Sequence, residues 1–368
     1  MEARMVRRVL LTVLGVLAVA VPSGAQFLAA DLIYVPGAAH TTGVGDSRWR
    51  SDIFITNVED DASIDVAMVF IQTGLLSNAA AFIDRSLWLG GREDDGFGFI
   101  NEDLAGIPPG GTAIVRDPIG QYWGTSDGIE NSGAIVVFIY EAESLQADGT
   151  RELKNAIVNS RVYTPFTFFE ADPDNEGEFV EVEGTYGQTM PGVPWYNLAD
   201  PSAVDEEVNF SFQVLTGAAE DEEYRYNLGI VNASDPLTTI TLAIQPFRGD
   251  GEPYVDPEGN EIFQLVSMPP VSHVQYDNVL LDLFGFASAP DDTRIDVSLL
   301  SWVSSSAEPV VGMTTYGTYI DNRTNDPTAI LPAFAYPYNV DCQWATGDES
   351  GKSRTGRISR RPVTIPPR

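Results

Sequence analysis

Three blocks of this chain occur twice, in the same order, and that repetition limits its fold more than any other feature. Tyr34-Val35-Pro36-Gly37-Ala38-Ala39 returns as Val214-Leu215-Thr216-Gly217-Ala218-Ala219. Trp49-Arg50-Ser51-Asp52-Ile53-Phe54-Ile55-Thr56-Asn57 returns as Tyr224-Arg225-Tyr226-Asn227-Leu228-Gly229-Ile230-Val231-Asn232. Pro108-Pro109 followed by Tyr122-Trp123-Gly124 returns, at identical spacing, as Pro269-Pro270 followed by Leu283-Phe284-Gly285. Ordered self-similarity of this kind marks a duplicated unit, so two tandem modules are expected.

Each module reads as strands. Ile64, Val66, Met68 and Phe70 fall on one side of a period-two run, and Ile240, Leu242 and Ile244 answer them in the second copy. Residues 134–140 form a continuous apolar strand, with residues 295–302 in the same place later, and Val180-Glu-Val-Glu is a short alternating piece. With 33 glycines and 24 prolines there is little room for long helices, and only short helical fragments are expected, around 75–81 and 279–284. The expected fold is therefore all-β: two tandem Ig-like or jelly-roll-like β-sandwich modules arising from an internal duplication. Module 1 is expected at 26–198 and module 2 at 199–335, the first lengthened by insertions between Phe70 and Pro108 and through 179–195. An outer-membrane barrel shares the alternation, but the chain ends in a proline-rich basic stretch rather than a membrane strand.

Residues 1–25 read as a signal peptide. Arg4, Arg7 and Arg8 precede an apolar run at 9–21, and Ser23-Gly24-Ala25 supplies small residues for cleavage. The run is short for a membrane span, which takes about 20 residues, and a buried N-terminal helix is the structural alternative. The expected location is outside the cytoplasm, extracellular or periplasmic, with no transmembrane segment once the leader is removed.

The formal charge is −32. Lys352, Arg354, Arg357, Arg360, Arg361 and Arg368 are basic residues of a terminal stretch without acids, so the body is more acidic still. Such a field repels phosphate backbones and anionic head groups, which argues against a nucleic-acid partner. Residues 336–368 form a tail, first aromatic and then basic, expected to be disordered in the monomer and suited to self-association on an acidic surface. Cys342 is the single cysteine, so no intrachain disulfide forms.

Ile33-Tyr-Val-Pro-Gly-Ala-Ala-His40, the Trp49-Arg50-x-Asp52 strand, Gly184-Thr-Tyr-Gly-Gln-Thr-Met-Pro191 and Ile320-Asp-Asn-Arg-Thr-Asn-Asp-Pro327 resemble a group of uncharacterised bacterial exported proteins built from tandem β-sandwich modules. The resemblance covers most of residues 30–330. It implies fold and export and brings no catalytic residues; the basic tail after Pro337 departs from it.

The sharpest chemical candidate is an acidic turn. Asp172, Asp174, Glu176 and Glu183 stand at positions 1, 3, 5 and 12 around Gly177 at position 6, the spacing of a calcium loop. Glu at position 5 and a following strand rather than a helix depart from that pattern, and a solvated acidic hairpin is the alternative. No cofactor is required, with Ca²⁺ the one metal suggested. In the repeated strand, Trp49, Ile53 and Ile55 share one face and Arg50 and Asp52 the other. The reading is an aromatic core plug backed by a polar outer face, against a ligand-facing Arg/Asp pair. Asn57 and Asn232 read as turn formers.

Support for catalysis is thin. His40 and His273 are the only histidines, and the repeat aligns them with Glu220 and Thr112, so neither recurs. Gly45-Asp46-Ser47 lacks a downstream Asp-x-x-His, and Cys342 reads as an incidental thiol. The expected function is that of an exported, non-catalytic binding or surface-assembly protein for an unidentified protein or polysaccharide partner. Residues 71–106 and 166–195 are the expected contact loops. Two alternatives stand beside it: a carbohydrate-active hydrolase working through a carboxylate pair, and a subunit of an extracellular fibre or layer.

Overall fold

The structure is a computed structural model that describes residues 28–43, 47–124, 131–147, 149–171, 179–200, 211–324 and 326–335. The leader, residues 172–178 of the acidic turn and the tail with Cys342 lie outside the described residues. Strands make up 54% and helices 10%, so the chain is all-β, as its periodicity requires.

The N-terminal strands are β1 (Leu32–Thr42), β2 (Arg48–Asn57), β3 (Ile64–Gln72), β4 (Leu89–Gly90), β5 (Phe99–Ile100), β6 (Thr112–Arg116), β7 (Asn131–Glu141), β8 (Ala156–Ala171), β9 (Phe179–Pro191) and β10 (Val193–Pro194). The C-terminal strands are β11 (Ser211–Thr216), β12 (Tyr224–Asn232), β13 (Thr238–Phe247), β14 (Gln264–Met268), β15 (Ser272–Tyr276), β16 (Arg294–Ser304), β17 (Met313–Asp321), β18 (Pro327–Ile330) and β19 (Ala333–Ala335). Among the described residues two short α-helices, α1 (Ala79–Ile83) and α2 (Val279–Phe284), accompany them. The first begins four residues later than its composition suggests, because Leu75 takes a left-handed conformation (φ 53°) that no helix continues through.

These strands form four stacked layers. Layer 1 is β6-β2-β8-β9 and layer 2 is β5-β4-β3-β7-β1-β10; they join at a corner where the end of β1 pairs with the start of β2, Thr41 with Trp49. Layer 3 is β15-β12-β17-β18 and layer 4 is β14-β13-β16-β11-β19. One core, with Ile33, Val35, Ile53, Ile55, Met68 and Ile135, fills the space between layers 1 and 2. A second, with Leu215, Leu228, Ile230, Leu242, Val297 and Leu299, lies between layers 3 and 4. A third joins the two pairs, setting Leu32, Tyr34, Val69 and Val136 of layer 2 beside Val231, Ala233 and Val271. Layer 2 is thus buried on both faces, which is why residues 134–140 read as continuously apolar instead of alternating.

The layers obey one pairing scheme. β1 lies between β7 and β10, and β11 between β16 and β19; β3 lies between β4 and β7, and β13 between β14 and β16. β2 pairs with β6 and β8, β8 with β9; β12 pairs with β15 and β17, β17 with β18. The register agrees too: Ile53 faces Val115 and Ser160, and Leu228 faces Tyr276 and Gly317.

The repeated asparagines close this frame. The buried Asn57 amide donates to the carbonyls of Ala62 (2.8 Å) and Ile107 (3.0 Å), and the buried Asn232 amide to those of Thr238 (3.1 Å), Met268 (3.3 Å) and Pro269 (2.7 Å). Each side-chain oxygen accepts an N–H two residues on, from Glu59 and Ser234. They are turn formers, as read, and also latches between the strand's end and the proline pair.

Candidate contact surfaces

Two expectations for the repeated strand need correction. Trp49 and Tyr224 are only half-buried; they rest edge-on against Tyr186 (6.3 Å) and stacked on Tyr319 (4.9 Å) rather than plugging the cores. Tyr226 is the buried aromatic of the second half, its hydroxyl end lying over the bare Gly317. Asp52, placed on a solvated face by alternation, is 1% exposed. It is paired with Arg116, approached by the Tyr163 hydroxyl (3.4 Å), and accepts the backbone N–H of Asp117 (3.3 Å). Asn227 accepts the N–H of Asn278 in the same way (3.2 Å). Asp117 (φ 41°) and Asn278 (φ 50°) are both left-handed and both introduce a helical turn, Ile119–Trp123 and α2. The Asp/Asn position therefore pins the entry to a turn, a scaffold role.

Around Asp117 a polar constellation gathers at the edge of layer 1. His40 Nδ1 lies 2.9 Å from its carboxylate and Arg50 Nε 3.6 Å, all three about a quarter exposed. At the corresponding place in the second half stands Glu220, 5% exposed, with Oε2 lacking a hydrogen-bond partner. Burial raises its pKa to about 7, with Asp282 and Asp221 adding repulsion, against the Tyr226 N–H and Arg225, which lower it. His273, fully buried between layers 2 and 3, is held by Thr73 (2.6 Å) and the Tyr316 hydroxyl (3.3 Å). Burial lowers its pKa to about 3, so it stays neutral in the fold. Its stabilising contribution is present above the unfolded value of about 6.5 and is lost as pH falls toward 3.

The expected contact loop at 71–106 is largely built into the fold. Trp88, Leu89 and Leu104 are buried, with Trp88 stacked between Phe97 (5.8 Å) and Phe138 (4.9 Å). Asp65, 2% exposed, staples the insertion by accepting from Arg92 Nε (2.9 Å) and from the Gly106 N–H (2.7 Å). Residues 73–78 reach across to the second half, where Asn78 N–H donates to Val271 (2.9 Å) and Gly74 N–H to His273 (3.0 Å).

The other expected loop, 166–195, is mostly strand. β8 and β9 pair over thirteen residues, from Asn159–Pro191 to Ala171–Phe179, so the Val180-Glu-Val-Glu piece belongs to a long ribbon. The corresponding β17–β18 pairing has four pairs. Beyond the core the ribbon is open to solvent: Phe179 is 70% exposed, and Phe166 and Val180 are exposed as well. Asp172, Asp174 and Glu176 lie outside the described residues. Glu183 lies on β9 opposite Thr167, four residues from Phe179.

Among the described residues no group of three or more His, Cys, Asp or Glu side chains is placed to hold a metal. No helix among them is long and apolar enough to cross a membrane. A cleft of about 550 Å³ is lined by Glu102, Asp103, Gly106, Ile107, Pro108 and Ile114, and its acids are consecutive residues of one 3₁₀ turn, not facing carboxylates. Neither family models, nor curated proteins, nor solved structures gave a match to this chain.

Proposed function

We propose that the protein is an exported, non-catalytic binding or assembly protein, made by duplication of one two-sheet module, that works through exposed sheet surfaces. The duplication is supported by the shared pairing scheme, by the matched asparagine latches and by the left-handed residues that open both helical turns. The functional reading rests on one observation, the β8–β9 ribbon: thirteen pairs where its counterpart has four, with Phe166, Phe179 and Val180 offered to solvent. A two-stranded ribbon with exposed apolar side chains gains nothing for its own fold, whereas it presents both an unpaired edge and hydrophobic contacts to a partner.

Replacing residues 166–184 by a two-residue Asn-Gly turn tests this. The melting temperature should hold within a few degrees, while mass by light scattering or co-sedimentation with insoluble polysaccharide should fall. A variant that keeps both properties removes the ribbon from function. Calcium binding by Asp172, Asp174, Glu176 and Glu183 is tested by the melt: millimolar Ca²⁺ should raise it, and Asp174→Ala should cancel the rise. The hydrolase alternative draws on Glu220, whose carboxyl, half protonated near neutral pH, has the character of a general acid. Loss of glycoside hydrolysis in Glu220→Gln, with the fold intact, would favour it.

A further inference from the structure

The outer faces of layers 2 and 4 are counterparts, and they differ in what covers them. β1, β3 and β7 stand in layer 2 where β11, β13 and β16 stand in layer 4. In layer 2 the outward side chains, among them Tyr34, Val69 and Val136, lie in the third core beneath the second half. In layer 4 alternation sends Leu215, Ile240, Leu242 and Ile244 inward, and Gln213 reaches Thr315 of β17 across that core (2.8 Å). The residues between them face out: Phe212 and Val214 on β11, Ala243 on β13 with Leu265 opposite it on β14, and Val303 on β16. The first three are half-buried, whereas Leu265 is 52% and Val303 76% exposed, and none of the five belongs to any of the three cores. An apolar sheet face of this kind calls for a cover.

The chain itself indicates what the cover is. Each of these sheets ends in a short edge strand, β10 beside β1 and β19 beside β11. Each edge strand is followed at once by aromatic residues and a Tyr-Asn-aliphatic run. After β10 the run is Trp195-Tyr196-Asn197-Leu198, and after β19 it is Tyr336-Pro337-Tyr338-Asn339-Val340. The first run folds back on the sheet it has just left. Trp195 and Leu198 pack on the third core, the Trp195 indole donates to Asp31 (2.8 Å), and the Tyr196 hydroxyl donates to the Ala29 carbonyl (2.8 Å). β19 delivers the second run to the edge of the uncovered face.

Charge points the same way. The excursion from β13 to β14, at one end of this face, carries Asp250, Glu252, Asp256, Glu258 and Glu261, and Asp291 and Asp292 precede β16. Arg248 and Arg294 stand among them, and each is already beside an acid, Asp250 (3.7 Å) and Asp296 (3.2 Å). Glu261 accepts from Gln245 on the outer side of β13 (3.0 Å), which ties the acidic excursion to the face. The tail has its three acids, Asp341, Asp348 and Glu349, before its basic run; residues 352–368 carry six basic residues and none. From Ala335 to Lys352 an extended chain reaches roughly 55 Å, whereas the four strand spacings from β19 to β14 come to about 19 Å. Length therefore permits the crossing.

We propose that residues 336–368 strap the outer face of layer 4 of their own chain. The run 336–340 lies on the apolar side chains of that face, and the basic run after it reaches the acids of the β13–β14 excursion. The strap does for the second half what the second half does for the first. It involves a different layer from the β8–β9 ribbon and does not rest on the ribbon's role.

The test uses the full chain and reads the tryptic release of residues after Lys352 by mass spectrometry, with the synthetic peptide 336–368 as the unprotected reference. When opening is fast, cleavage tracks the fraction of tails undocked, so release should be about tenfold slower in the protein than in the peptide. The protection should not change with protein concentration. It should shrink severalfold between about 10 and 150 mM salt, as the screening length contracts from roughly 30 Å to 8 Å. Leu265→Glu/Val303→Glu and Glu258→Lys/Glu261→Lys change exposed positions, and each should bring release close to the peptide's rate. Equal circular dichroism and melts check their fold. Should either unfold, Tyr338→Ser/Trp344→Ser leaves the body untouched and makes the same demand.

Release from wild type at the peptide's rate overturns the strap and leaves the tail disordered, as its composition alone reads. Protection that survives both face variants places the tail elsewhere and overturns it equally. Protection that grows with concentration, together with a rising mass by sedimentation, assigns the face to the tail of a second copy and removes the intramolecular strap. Replacing residues 166–184 should leave the protection unchanged; its loss there would hand the tail to the ribbon. A protein whose ribbon proves functionless can still show the protection, so the two readings fail separately.

Discussion

The outer faces of layers 1 and 3 share a pairing scheme and have opposite fates. Layer 3 is buried against the first half; layer 1 is open. Position by position, the side chains follow the fate rather than the scheme. Gly229 in layer 3 answers Phe54 in layer 1, and buried His273 answers exposed Thr112. Gly229 is bare because the Tyr316 ring occupies the space a Cβ would need. Shared hydrogen-bonding geometry evidently makes the frame, while the surface each sheet meets decides what its outward residues become.

That comparison breaks first at Gly229. Gly229→Ala drives a methyl into the Tyr316 ring, next to His273 and Gln275, and should cost about 3 kcal/mol in chemical denaturation. A near-neutral result would mean that layer 3 is not tightly seated. The asparagine latches come next. Asn57→Ala and Asn232→Ala each strand buried carbonyls and should each cost about 2 kcal/mol. Their equality is the sharper point, since unequal losses would separate two positions that the frame treats alike.

Glu220 distinguishes the halves by pH. Its folded pKa of about 7 exceeds its unfolded value near 4.5, so its contribution is fully present below 4.5 and is lost as pH rises through 7. Glu220→Gln should therefore gain stability relative to wild type from pH 4.5 upward, by roughly 1–2 kcal/mol at pH 8. Parallel melting curves for the two proteins across that range would refute the shift. The smallest effect belongs to the open face: Phe54→Ala, removing a half-buried ring beneath Arg116, should cost about 1 kcal/mol or less.

Periodicity and repetition made the strands legible because each core takes alternate residues from its sheets. Ile64, Val66 and Met68 on β3 and Ile240, Leu242 and Ile244 on β13 are buried as that pattern requires. Alternation misled where a sheet has two buried faces or a polar residue is a latch. Asp52 looks solvent-facing in a strand pattern, yet its charge is used to hold Arg116 and the Asp117 turn. The insertion at 71–106 resembles a loop in composition because its elements are two to five residues long, too short for any period to register. The gathering of four arginines on layer 1 escaped notice because Arg48, Arg50, Arg116 and Arg161 come from three strands separated in sequence. Only pairing brings them together. A count of arginines per strand that allows for facing would have been the available signal.

The place of β1 carries a consequence for how the molecule is made. This first strand is interior to layer 2, bonded to β7 on one side and to β10, 161 residues later (Ile33 with Pro194), on the other. A chain emerging from its amino end, from a ribosome or through a translocation pore, thus cannot finish its first core until nearly two hundred residues are free. Contacts so distant in sequence are slow to form. The second half then needs a completed layer 2 to cover Val231 and His273. Folding should run from the first half to the second, and a chain interrupted near residue 150 would leave both of its sheets without their partners.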